Sequence, residues 1–215
     1  MTDRLLRALS ARFPLTPGDA GAFAAVKASG MTFRITRYDA AGLGSLSVMT
    51  ASGFLGLMKM DTLILNATGR DVPLLSYDRI RAMGNDTLIL ELYDTLLAPC
   101  DLQALADLKA GAAALPDHDL GTHWYDGIKL PQSLSKRGKK GQSAAFDGLA
   151  ERYAAAYADL AAAAPPCDPA AKKARAAVYV EGLLKNGGPS TDAFTKAIGP
   201  ERTAELFRTV LFGTE

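Results

Sequence analysis

The chain has 215 residues, 48% of them hydrophobic and 22% charged, which is the composition of an ordinary soluble globular protein. The formal charge of +1 excludes a global field driving attachment to nucleic acid or to an acidic membrane, so an electrostatic partner must use a local patch. No apolar run reaches the length of about eighteen residues that a membrane span needs.

Cys100 and Cys167 stand far apart without CxxC spacing, and indicate neither a disulfide framework nor a zinc site. The first residues mix charges with leucines and do not form a signal peptide, so a cytoplasmic location is expected. The length suits one domain over residues 1–215.

In chain order, residues 2–13 predict an amphipathic helix with Leu5, Leu6, Leu9 and Phe13 on one side. Thr16-Pro17 pairs a cap with a proline at the first helical position and predicts a second helix, through Phe23 and Val26 to Gly30. Residues 31–38 then alternate as a half-buried strand does. Strands follow over 45–50, 55–65, 73–80 and 87–93, the last two joined by Met83-Gly84-Asn85-Asp86. Short strands with brief turns between them pair as an antiparallel meander.

Residues 101–114 predict a helix. Residues 117–141 read as a long irregular segment holding His118, His123, Trp124 and the basic cluster Lys136, Arg137, Lys139 and Lys140. That cluster is either a solvated loop or a local patch for an acidic partner or ligand. The histidines, with Asp117 and Asp119, have no spacing that specifies a metal site.

Helices follow over 143–164, whose stripe of Phe146, Leu149, Tyr153, Tyr157 and Leu160 is expected to pack as core, and from Asp168-Pro169 to Leu184. Shorter helices cover 192–198 and 200–212. Helices at both ends of an antiparallel meander predict an α+β fold, a three-layer α/β/α sandwich whose central sheet is covered on both faces.

Asp78 is the awkward residue. A carboxylate inside a strand costs free energy unless it is solvated, paired or protonated. It is therefore either an outward-facing residue paired with Arg79 or Arg81, or the chemical centre of a pocket.

The stretch Asp71-Val72-Pro73-Leu74-Leu75-Ser76-Tyr77-Asp78 resembles a segment of the ferredoxin-dependent bilin reductases, where an aspartate follows a strand proline by five residues. Residues 199–212 resemble that family's closing helix with its Val-Leu-Phe end. Tyr179 and Lys185-Asn186 resemble a segment of the phycocyanobilin-forming branch. The resemblance implies the same α/β/α fold and an open-chain tetrapyrrole held between sheet and C-terminal helices. It also implies electrons from reduced ferredoxin, with no cofactor or metal bound to the protein.

Asp78 is then the proton donor, and Asn186, Lys185 and Tyr77 bind substrate. Asp61 falls, without gaps, where the phycocyanobilin-forming members carry a histidine, and is taken as a second catalytic carboxylate. If both carboxylates faced one pocket, repulsion would keep one protonated. The glutamate that the family places on the preceding strand has no match within 45–50. A module that binds a tetrapyrrole, or serves as an interaction scaffold, without reduction is the alternative.

Overall fold

The computed structural model describes residues 2–215 as one eight-stranded antiparallel sheet between two layers of helices. The strands are β1 (Leu15–Gly18), β2 (Ala25–Ala28), β3 (Met31–Ala40), β4 (Gly44–Gly53), β5 (Met58–Asn66), β6 (Leu74–Ala82), β7 (Asn85–Tyr93) and β8 (Leu134–Lys139). From β3 to β8 each strand pairs with the next in sequence. β1 and β2 share the outer edge of β3, β2 against residues 31–34 and β1 against 37–40.

The helix expected from Thr16-Pro17 to Gly30 is absent. That stretch is β1, a single turn at Gly21–Phe23, and β2. Gly18 and Gly21, the latter at φ 53°, interrupt any helix, and each short piece gains more by pairing with β3. Pro17 is tolerated because β1 lies at the edge, where a missing N–H breaks no ladder.

The other correction falls in the segment expected to be irregular. Its basic end, Leu134–Lys139, is β8, paired along β7. Lys136 is buried there, its ammonium held by Asp117 at 2.6 Å and the Leu115 carbonyl at 3.0 Å. The turn between β6 and β7 is also tighter than expected. Met83 and Gly84 alone make it, both at positive φ, and Asn85 and Asp86 already belong to β7.

On one face of the sheet lie α1 (Thr2–Ser10), α2 (Gln103–Gly111) and α3 (Ser143–Ala163). They cover Leu46, Val48, Leu63, Leu65, Leu75, Tyr77, Leu88, Leu90 and Leu92. Phe146, Leu149, Tyr153 and Tyr157 of α3 are core residues, as their spacing predicts. The Tyr157 hydroxyl still finds a partner, donating to the Pro73 carbonyl at 2.5 Å.

On the other face lie α4 (Pro169–Asn186), capped by the Asp168 side chain on the Ala170 amide at 3.0 Å, then α5 (Pro189–Ile198) and α6 (Pro200–Glu205). α6 continues as a wider π turn over Leu206–Leu211. Ser47 donates to the Leu211 carbonyl at 2.8 Å, and Asn66 to that of Phe212 at 2.8 Å. These bonds fix the end of the turn to the sheet and satisfy carbonyls that the helix leaves free. Leu88, Leu90 and Leu92 pack on the first face while Ile89 and Glu91 look toward the second, so both sides of the strand are covered.

Candidate active site

Between the second face and its helices is a cavity of about 220 Å³. Its floor is the even-numbered side of β5 and β6 (Met60, Thr62, Ile64; Ser76, Asp78, Ile80) and the odd-numbered side of β7 (Ile89, Glu91, Tyr93). Its roof is Tyr179 and Leu183 of α4, the start of α5, and Phe207, Leu211 and Phe212. Leu120, His123 and Tyr125 close one side, so the 117–133 segment supplies a wall.

Asp78 sits in the middle of this floor. The Thr62 hydroxyl, directly across the sheet, donates to it at 2.5 Å, and Ser76 donates at 3.4 Å. Part of its surface opens to the cavity, whose lining is otherwise mostly apolar and aromatic. Loss of solvation therefore dominates and pushes its pKa up to about 6. The bond from Thr62 works against that rise, the charge of Glu91 adds to it, and the bond from Ser76 also opposes it. Asp78 faces the cavity and is not an outward strand residue paired with Arg79 or Arg81.

Of the residues expected beside it, the fold brings none into the cavity. Asp61 is one residue before Thr62, and in a strand one residue is a change of face. It points to the opposite side and is ion-paired with Arg81. The strand before Asp78 thus offers it a hydroxyl, with no second carboxylate and no repulsion of the expected kind. Tyr77 is likewise on the far face, buried beneath α3, where burial raises its pKa. Lys185 and Asn186 end α4 with their side chains exposed, and line a shallow surface depression outside the cavity. There Asn186 precedes the Gly187 C-cap, at φ 79°.

The cavity holds functional groups that the sequence reading missed. Glu91 is 7% exposed, accepts a hydrogen bond from the Tyr93 hydroxyl at 2.6 Å, and lies 3.7 Å from the Lys129 ammonium. Burial opposes the charge on Lys129, but its bond to Asp126 and the charge of Glu91 outweigh that and raise its pKa. Tyr93 stacks on Tyr179 at 4.1 Å between ring centroids, and Tyr125 meets both edge-on. Burial raises the pKa of all three phenols, so they are neutral donors at any physiological pH.

The signal for Glu91 was present in the alternation of β7, which places Ile89, Glu91 and Tyr93 on one face. No lysine or arginine side chain lines the cavity. Among the described residues, no three His, Cys, Asp or Glu side chains gather as a metal site would require.

Trp124 braces the wall segment. Its indole N–H donates to the Gly187 carbonyl at 3.2 Å, and its ring lies against Gly182 so closely that a Cβ there would collide with it. Gly182→Ala is therefore expected to push the indole off α4. Because this is the only tryptophan, the displacement should read out as a red shift and loss of quenching in its fluorescence, with helix content retained. An unchanged emission spectrum would show that the contact does not hold the wall.

Neither the protein-family models nor the curated proteins contain a match to this sequence. Solved structures do match, and they place the chain in the fold of the bilin reductases. The comparison structure is phytochromobilin synthase from tomato in complex with biliverdin, with a TM-score of 0.79. The match covers 99% of this chain and 82% of that one, at 12% sequence identity. At that identity the likeness is one of fold: the same α+β, three-layer sandwich.

Proposed function

We propose that the protein reduces an open-chain tetrapyrrole, receiving electrons singly from ferredoxin or a similar small carrier, with Asp78 as proton donor. One observation carries the reading above all others. A carboxyl with its pKa near 6 stands at the centre of an apolar, tyrosine-lined cavity, between the sheet and the C-terminal helices. The fold is shared with a phytochromobilin synthase solved with biliverdin.

Reducing one double bond of the ligand consumes two electrons and two protons. A group near pH 6 is still protonated in a useful fraction at neutral pH and is acidic enough to give the proton up to a basic, one-electron-reduced pyrrole. Thr62 and Ser76 stabilise the carboxylate left behind. Tyr93 and Glu91 lie along the same floor as a second hydrogen-bonded pair. The apolar roof keeps water from the radical intermediate.

Such ligand sites usually measure about 300–1,000 Å³ against about 220 Å³ here, so side chains of the lining must shift to admit a tetrapyrrole. Anaerobic titration with biliverdin should give a saturable shift of its absorbance at micromolar concentration. Addition of a reduced ferredoxin system should then change the long-wavelength band. No binding at that concentration would sink the proposal.

A second reading is favoured by Asp61 lying on the far face and Thr62 standing beside Asp78. In it the protein holds a tetrapyrrole without reducing it. Tight binding with no spectral change under reducing conditions would establish that reading instead.

A further inference from the structure

One end of the sheet breaks the rule that large apolar side chains are covered. Phe54, Leu55 and Leu57, in the β4–β5 connection, are 60%, 105% and 68% exposed, and Met83, at the β6–β7 turn, is 89% exposed. Both connections leave the same end of the sheet, because Gly53 pairs with Met58, Met58 with Ala82, and Ala82 with Asn85. Phe54, Leu55 and Met83 have φ of 52°, 56° and 51°. Side chains other than glycine and asparagine adopt that backbone at a cost, and here the cost presents apolar groups to the outside.

Cations stand directly behind these tips. Pairing across the sheet aligns Lys27, Thr32, Ser52, Lys59 and Arg81 in one row, with Lys59 and Arg81 two residues from the tips and Lys27 at the far end of the row beside the β2–β3 turn. Lys139 and Lys140 join them from the end of β8, where the Lys140 amide donates to the Gly84 carbonyl at 3.1 Å. The carboxylates at this end are already engaged, Asp61 by Arg81, and Asp86 and Asp147 by Arg79. Lys27, Lys59 and Lys140 have no ion-pair partner among the described residues. A net charge of +1 conceals this local excess.

We propose that this end of the sheet is a docking surface for an anionic membrane face, a peripheral contact and not a span. The geometry favours a bilayer over a protein partner. The apolar side chains sit on two projecting hairpin tips, with the cations set back by about 3–7 Å at the rise of an extended strand. Interfacial elements bury their apolar part about 5–10 Å deep while lysines remain at the headgroups. Each lysine near an anionic surface then strengthens partitioning by about fivefold. The inference does not depend on tetrapyrrole chemistry.

The test is co-sedimentation of the whole chain with phosphatidylcholine vesicles, with and without phosphatidylglycerol. Binding is expected only to the anionic vesicles and should weaken as salt is raised. Phe54→Ser with Leu55→Asn should reduce it at least about tenfold, and asparagine suits the positive φ at position 55, so folding is spared. Lys59→Glu with Lys140→Glu should reduce it by a similar factor. The proposal is overturned if anionic vesicles never bind, or if neither double variant changes binding. It is equally overturned if these variants abolish retention on an immobilised acidic ferredoxin while vesicles stay unbound, which would assign the surface to a protein carrier.

Discussion

With the function proposed above, Asp78→Asn is expected to slow bilin reduction by about 10²–10⁴-fold while leaving bilin affinity within a few-fold. Asparagine keeps the shape and still accepts from Thr62, but it has no proton to give. Activity equal to wild type would remove Asp78 from the mechanism whatever the binding data say. The same substitution has a stability signature that a purely structural role would share only in part.

The native pKa near 6 lies above the ordinary aspartate value of 3.8, so between those two values the folded chain binds more protons than the unfolded one. Wild-type stability from this group is therefore greatest below about pH 4 and falls as pH rises through 6. Two pH units correspond to ~3 kcal/mol, which the opening of the carboxyl to the cavity reduces to about 1–2. Asp78→Asn should thus be more stable than wild type at pH 8 and lose that advantage near pH 4, in urea titrations across the range. A constant difference at all pH values would contradict the assigned ionisation. The raised pKa of Asp78 thus costs stability at neutral pH, as the proposed proton-donating role would require.

The second large effect lies one residue away on the other face. Arg79 is fully buried, with its guanidinium on Asp86 at 2.5 and 2.8 Å, on the Ser143 carbonyl at 3.2 Å, and 5.1 Å from the centre of the Phe146 ring. Asp86 also accepts from the Ser143 hydroxyl, so the pair ties β6 and β7 to the start of α3. Arg79→Met is expected to cost about 3–5 kcal/mol, because it leaves the Asp86 carboxylate buried without its cation.

Adding Asp86→Leu should restore much of that loss, since an apolar pair needs no solvation replaced. Chemical denaturation of the two variants separates the outcomes. If the double variant is no more stable than the single one, the pair stabilises through its geometry and not through mutual neutralisation.

Most of the fold was readable because it rests on alternation and on helix punctuation. β3 alternates visibly, β4 to β7 are runs of β-favouring residues set off by turn residues, and α3 to α5 carry apolar residues bounded by proline and glycine. β8 was not readable. Leu-Ser-Lys-Arg-Gly-Lys has little apolar content, and its strand conformation comes from pairing with β7 and from Asp117 neutralising Lys136. Thr16-Pro17 misled for a related reason, since a local cap signal competes poorly with ten residues of β3 offering an edge.

In the site, Asp78 was found through its cost in a strand. Asp61 and Tyr77 failed on parity: each is an odd number of positions from a cavity residue in its own strand. Glu91 was hidden inside the apolar run Leu88–Leu92, which averages as hydrophobic although its two faces differ.

The strict alternation of β6 has a consequence for folding fidelity. Ser76, Asp78 and Ile80 look into the cavity while Tyr77 and Arg79 look under α3, and Arg81 lies on that same side at the end of the sheet, paired with Asp61. If β6 slid by one position against its neighbours, Arg79 would enter a cavity whose remaining carboxylate, Glu91, already faces Lys129, and Asp78 would enter a packed layer whose buried cation, Lys136, is already held by Asp117. Both errors are penalised at once, each by several kcal/mol. The two adjacent charges therefore act as an alignment key for the centre of the meander. A neutral residue at position 78 should therefore leave the register intact, provided that Arg79 remains to hold the strand in place.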